Sequence, residues 1–150
     1  MNPISLLLCC APLLLASAIP ASGEELADTS WKLVRIQSMN DTSSVPDDAT
    51  VYTLELKADG SSVIQADCNQ GRGTWSANTE SQIEFGPIAS TFALCPGGSL
   101  SEEYLKQFQW VRSFTVENGH LFLATMADGS IIEFEPVANG TVRPPVVGGS

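Results

Sequence analysis

The strongest constraint on this chain lies near its C-terminus. "RSFTVENGHLFLATMADGSIIEFEP", residues 112–136, is three runs of alternating apolar and polar residues joined by Asn118-Gly119 and Asp128-Gly129. Such dipeptides accept the positive backbone angles that two-residue hairpin turns demand. The stretch therefore predicts an antiparallel meander, with Pro136 closing its last strand. The same grammar recurs upstream. In "VYTLELKADGSSVIQAD" Tyr52, Leu54 and Leu56 alternate with Thr53, Glu55 and Lys57, and Asp59-Gly60 supplies the turn. "GTWSA" and "QIEFG" form a further hairpin around "ANTES", with Trp75, Ile83 and Phe85 pointing inward. "SWKLVRI" reads as a strand that sets Trp31, Leu33 and the stem of Arg35 on one side and Lys32, Val34 and Ile36 on the other. The expected interior includes Trp75, Phe85, Phe92, Leu121, Leu123 and Phe134.

The period changes once. In "GGSLSEEYLKQFQWV" Leu100, Tyr104, Phe108 and Val111 recur at helical spacing, with Leu105 beside them. Ser99 with Glu102 three residues later has the form of a capping box, and Glu102 and Glu103 suit the positive end of the helix dipole. One helix is expected from Leu100 to Trp110, packed on the sheet by its apolar stripe. The fold class is mainly β (α+β): about seven or eight antiparallel strands in a curled sheet or partly open barrel, with one packed α-helix.

Residues 1–23 carry no charged side chain, and "ISLLLCCAPLLLASAI" is shorter than the run of about 20 apolar residues that spans a bilayer. Small residues follow in "ASAIPASG". This is the layout of a secretory signal peptide cut after Gly23, although "MNP" brings no Lys or Arg. A cut after Ala18 would leave Pro20 close behind it. Lipid attachment at Cys9 or Cys10 is disfavoured because leucines, not small residues, precede them. The expected organisation is a signal peptide over 1–23, a polar leader over 24–29, one domain over 30–136 and a flexible tail over 137–150. The protein is expected to be secreted or periplasmic, with no stable membrane span once the signal is removed. Cleavage leaves two cysteines, Cys68 and Cys95, which allow one intramolecular pairing in an oxidising compartment. A crosslink closing that loop contributes about 3 to 4 kcal/mol in the chain-entropy treatment.

Charge narrows the function. Seventeen acidic and seven basic residues give a net charge of −10, which provides no footprint for nucleic acid. Histidine occurs once, at His120, directly after the Asn118-Gly119 turn, and reads as a solvated turn residue rather than a general base. Two cysteines and a histidine do not complete a zinc site. "DCNQGRG", residues 67–73, places Gly71 where a calcium loop needs an oxygen ligand and lacks the Gly-Lys-Ser/Thr of a phosphate loop. Among the carboxylates no pair stands out for glycoside chemistry. Asn40 and Asn139 begin glycosylation-type triplets that read as chance matches. No cofactor, no metal and no catalytic set is expected.

The stretches "ADGSSVIQADCNQGRGTW", "IEFGPIASTFALC" and "EEYLKQFQWVRSFTVENGHLFLATMADGSIIEFEP" together resemble the META domain family, the HslJ-like proteins. The likeness runs from Ser30 to Glu135. Its most specific parts are Asp67-Cys68-Asn69 with Gly73, and Thr91 followed by Cys95; Trp75 and Ala93 depart from the tyrosine and methionine common in the family. The resemblance implies a small β-rich domain with a helix, often exported in bacteria, linked to heat shock, antibiotic tolerance and motility, with no established catalytic activity. It favours architectural roles: Asp67 and Asn69 bonding to nearby backbone at a turn, Gly71 and Gly73 permitting a bend or close approach, and Cys68 reaching Cys95. The function expected is a non-enzymatic binding or stress-related envelope protein whose partner is an unknown protein or small ligand. The 37–50 loop and "PIASTFALCPGG" are the candidate binding edges. The alternative is a secreted protease inhibitor, or a small-ligand carrier on a lipocalin-like barrel.

Overall fold

The computed structural model describes residues 23–78, 81–126 and 129–137. The apolar leader with Cys9 and Cys10, Asp128 of the last turn, Asn139 and the tail from 138 onward lie outside them. The strands are β1 (Thr29–Ser38), β2 (Ser43–Ser44), β3 (Tyr52–Leu56), β4 (Ser61–Ala66), β5 (Asn69–Ala77), β6 (Ile83–Phe85) and β7 (Ala89–Ser90). After α1 (Ser101–Gln107) and one 3-10 turn (Phe108–Trp110) come β8 (Val111–Glu117), β9 (His120–Thr125) and β10 (Ser130–Pro136). Eight strands form one antiparallel path in the order β6-β5-β4-β3-β1-β10-β9-β8, while two-residue β2 and β7 hang on β1 and β5. The two ends of the path meet through a bridge between Gln82 and Ser113 and a 2.9 Å bond from the Phe114 amide to the Ser81 carbonyl. The sheet is thus a nearly closed barrel, which leaves little free edge for aggregation.

The alternation read from sequence carries over strand by strand. Tyr52, Leu54 and Leu56 of β3, Ile64 and Ala66 of β4, Leu121 and Leu123 of β9 and Ile132 and Phe134 of β10 are all buried. Two of the three expected hairpin turns have the expected geometry, with φ +84° at Gly60, and +52° and +80° at Asn118 and Gly119; Gly129 does not take a positive φ, and residues 126–129 separate β9 from β10. The α1 stripe sends Tyr104 and Phe108 into the barrel, where Tyr104 meets the edges of Tyr52 and Phe108 at centroid distances of 5.9 and 5.1 Å. Phe108 packs edge-on against Phe85 at 5.0 Å. Such edge-to-face pairs add about 0.5–1.5 kcal/mol each beyond the area they bury.

Four expectations need correction. First, the register of β1 against β10 shifts between Leu33 and Arg35. This bulge at Val34 interrupts the alternation, so Ile36 is buried and Arg35 faces out to Glu133. Second, the helix ends in a 3-10 turn and its capping box does not form. Leu100 is the N-cap, the Ser99 hydroxyl accepts from the Ser101 amide, and Glu102 pairs with Lys106 at 2.7 Å. Tyr52 supplies the missing acceptor, its hydroxyl taking the Leu100 amide at 2.8 Å. Third, Trp75 is only half-buried, with its indole N–H donated to the Lys57 carbonyl. Fourth, Phe92 is not in the interior at all; it is 89% exposed.

Candidate functional site

The polar corner begins with a two-residue turn. Ala66 and Asn69 close the β4–β5 hairpin, and Asp67 adopts φ +57°, a left-handed conformation that Asp tolerates better than most residues. Asp67 acts here through its backbone, its amide donating to the Val51 carbonyl at 2.8 Å; among the described residues its side chain makes no hydrogen bond. Asn69 is different. It is 4% exposed and reaches across to the 87–100 segment, not to its own turn. Its Oδ1 accepts from the Ala93 amide at 2.7 Å and from the Thr91 hydroxyl at 2.9 Å. Its Nδ2 donates to the Ala93 carbonyl at 3.0 Å and to the Ser101 hydroxyl at 2.9 Å, with Cys95 Sγ at 3.4 Å. All four strong positions of one buried amide are used.

Thr91 extends this clamp. Its hydroxyl accepts from the Gln70 amide at 3.0 Å, and its own amide donates to the Gln70 carbonyl at 3.0 Å. Four positions on, Cys95 is bonded to Cys68, with the Cα atoms 5.6 Å apart. Gly71 and Gly73 admit the segment from the other side. A Cβ on Gly71 would lie 2.8 Å from the Ile88 side chain, and one on Gly73 would lie 3.1 Å from both Ile88 and the Pro87 carbonyl. Their role is close approach. Asp67, Cys68, Asn69, Gly73, Thr91 and Cys95 are therefore brought together, and what they build is a strap, residues 87–100, fastened along the start of β5.

The strap carries apolar side chains outward. Thr91 and Ala93 turn their polar backbone groups towards β5, so Phe92 and Leu94 project the other way: Phe92 is 89% exposed and Leu94 fully so. They overhang a groove of about 1010 Å³ between the strap and α1, which Ile88, Leu105 and Gln109 also line. That volume is at the upper end of ligand clefts, about 300–1,000 Å³. Sequence reasoning placed Phe92 inside because it is large and aromatic. The available signal was the spacing: if Thr91 and Cys95 bind inward, the residues between them at even positions must point away.

The other candidate edge, the 37–50 loop, folds back on β1 through β2 and is tied to α1 by the Ser44 hydroxyl, which donates to Glu103 at 2.9 and 3.1 Å. His120 is not a free turn residue. Its Nδ1 lies 2.8 Å from Glu133 Oε1, whose other oxygen lies 2.8 Å from Arg35 Nε, and its ring stacks on Phe122. A carboxylate that orients a histidine is one part of a catalytic relay. Here Arg35 shares that carboxylate, and among the described residues no hydroxyl or thiol is hydrogen-bonded to the imidazole. Nor do the described residues contain a cluster of three His, Cys, Asp or Glu placed to hold a metal ion.

Barrel, strap and disulfide together define a small antiparallel β scaffold with one helix and a covalently restrained exposed segment. The META domain pattern matches residues 24–138, and the chain belongs to the META domain family. Two solved structures share the fold. The NMR structure of a protein from Burkholderia xenovorans is 21% identical, with a TM-score of 0.64 over 92% of this chain and 98% of that one. The crystal structure of a duf4847 family protein from Bacteroides vulgatus ATCC 8482 is 16% identical, with a TM-score of 0.56 over 75% of this chain and 94% of that one. No curated protein matches the chain. Among the described residues no helix is long and apolar enough to cross a membrane. The Cys68–Cys95 bond points to an oxidising compartment.

Proposed function

We propose that this META domain is an exported, non-enzymatic binding protein whose contact surface is the strap and the groove beside it. The observation that carries the reading is the exposure of Phe92 and Leu94 on a segment held by both a disulfide and a buried amide. Large apolar side chains held rigidly in water are characteristic of interaction sites. Rigidity matters because a pre-ordered segment loses little conformational freedom when a partner closes on it. A small-ligand carrier has less support. The barrel interior is occupied by Leu33, Leu54, Tyr104, Phe108, Phe114 and Phe134, all buried, and the groove lies outside it. The leader's composition and the disulfide support export.

The test is capture from the organism's own envelope and secreted fractions by the disulfide-bonded domain, beside the Phe92→Ser/Leu94→Ser variant. The expected result is a partner enriched by the wild type and lost with the variant. Equal capture by both would remove the strap from the binding surface.

A further inference from the structure

The backbone of the strap has a free edge, and its pattern narrows the partner class; the argument rests on the binding role proposed above. Residue 91 turns its amide and hydroxyl inward to Gln70, and residue 93 its amide and carbonyl to the Asn69 side chain. Among the described residues the amides and carbonyls of Phe92 and Leu94 make no hydrogen bond. Phe92 and Leu94 are also the two side chains that stand clear of the surface. An extended segment with residues i and i+2 open on one edge, and residue i+1 held from behind, is the form in which a substrate strand pairs with the rim of an endopeptidase cleft.

We propose that the strap is a substrate-like inhibitory loop for a serine endopeptidase with an apolar primary pocket, Leu94 filling that pocket and Phe92 contacting the enzyme two residues upstream. Three features select an endopeptidase over a generic extended peptide. Leu94 is fully exposed, as a side chain that must enter another protein's pocket has to be, whereas strand pairing alone needs no protruding side chain. Residues 86–101 contain no charged side chain, so the loop suits an apolar pocket and offers nothing to one that carries an acid for Lys or Arg. And the bond after Leu94 is pinned on both sides: Ala93 by Asn69, and Cys95 by Cys68.

That pinning separates an inhibitor from a substrate. Hydrolysis would add water across the Leu94–Cys95 peptide bond, giving a Leu94 carboxylate and a Cys95 amine. Neither end could leave, because Cys95 stays on its disulfide and the Leu94 end stays on Asn69 through Ala93. While the Leu94 acyl group is still esterified to the enzyme's serine, the Cys95 amine would remain beside it, and its attack, which re-forms the peptide bond and frees the serine hydroxyl, would compete with hydrolysis by water. Charge also disfavours self-pairing along this edge, since two copies would each bring a net −10.

The probes are bovine chymotrypsin and subtilisin, with trypsin as the contrast, assayed with chromogenic peptides against the disulfide-bonded protein. Inhibition of chymotrypsin or subtilisin but not trypsin is expected. Leu94→Ala should weaken it at least 100-fold, and Leu94→Lys should transfer inhibition to trypsin. Asn69→Ala, checked for an intact disulfide by mass, should raise the rate of cleavage after Leu94 at least 10-fold. No inhibition of chymotrypsin or subtilisin at 100 μM wild-type protein would overturn the proposal, as would inhibition unchanged by Leu94→Ala. If the captured partner above still depends on Phe92 and Leu94 while neither peptidase is inhibited, the binding role stands and the inhibitory role falls. If capture also fails to depend on them, both fall.

Discussion

Replacing Asn69 by alanine removes four hydrogen bonds of 2.7–3.0 Å at one stroke. The cost is set by what each partner does next. The Ala93 amide and carbonyl lie on an exposed strap and return to water, so together they account for about 1 kcal/mol. Thr91 keeps its bond from the Gln70 amide. Ser101 is buried, and Asn69 is the one partner of its hydroxyl among the described residues. A buried hydroxyl left unpaired costs about 1–3 kcal/mol. The total is about 3 kcal/mol against a domain stability of about 5–15 kcal/mol. For a domain of this length that lowers Tm by about 12 °C. Urea titration at neutral pH measures the free energy, and amide exchange locates it: the Ala93 amide, slow in the wild type, should exchange at the rate of an exposed loop in the variant. Asn69→Asp keeps the shape but loses both donors and sets a carboxylate against the Ser101 hydroxyl and the Ala93 carbonyl, so its penalty should be at least as large. A loss below about 1 kcal/mol in Asn69→Ala with the Ala93 amide still slow would refute the clamp.

Other perturbations follow from the same geometry. Reduction of the disulfide, whose cysteines lie 27 positions apart, should lower stability by about 3.5 kcal/mol; a melting curve that ignores reductant would contradict this. Gly71→Ala should cost about 1–3 kcal/mol, because its Cβ would meet Ile88 Cγ2 at 2.8 Å, and the double variant with Ile88→Ala, which removes that atom, should lose less than the sum of the two single changes. Tyr104→Phe should stabilise by about 1 kcal/mol, since the phenol is buried with no hydrogen-bond partner among the described residues; a loss of more than 1 kcal/mol in urea would show that something holds the hydroxyl. Burial also pushes the Tyr104 phenol well above its ordinary value, so above about pH 10 the unfolded chain sheds this proton while the folded one keeps it. Wild-type stability should therefore fall as pH rises past 10, and the Tyr104→Phe variant should show a shallower decline in alkaline urea titrations.

The meander from Val111 to Pro136, the Asp59-Gly60 hairpin, the helix that carries Tyr104 and Phe108, and the pairing of Cys68 with Cys95 were all determined by the sequence. Each rests on a rule of short range: a period of two or of 3.6, a glycine where φ is positive, or a count of cysteines. What the tertiary structure decided involves segments far apart in the chain. Asn69 looks like a turn residue until the Thr91–Ser101 segment arrives to use all of its amide. Phe92 looks like core until Thr91 and Ala93 are committed to β5 and leave it no inward direction. His120 looks solvated until β10 brings Glu133 beside it, and the bulge at Val34 appears only when β1 must match β10 on one edge and β3 on the other. A side chain's local pattern states which backbone it prefers, but its partners depend on which distant strand the closing barrel lays next to it.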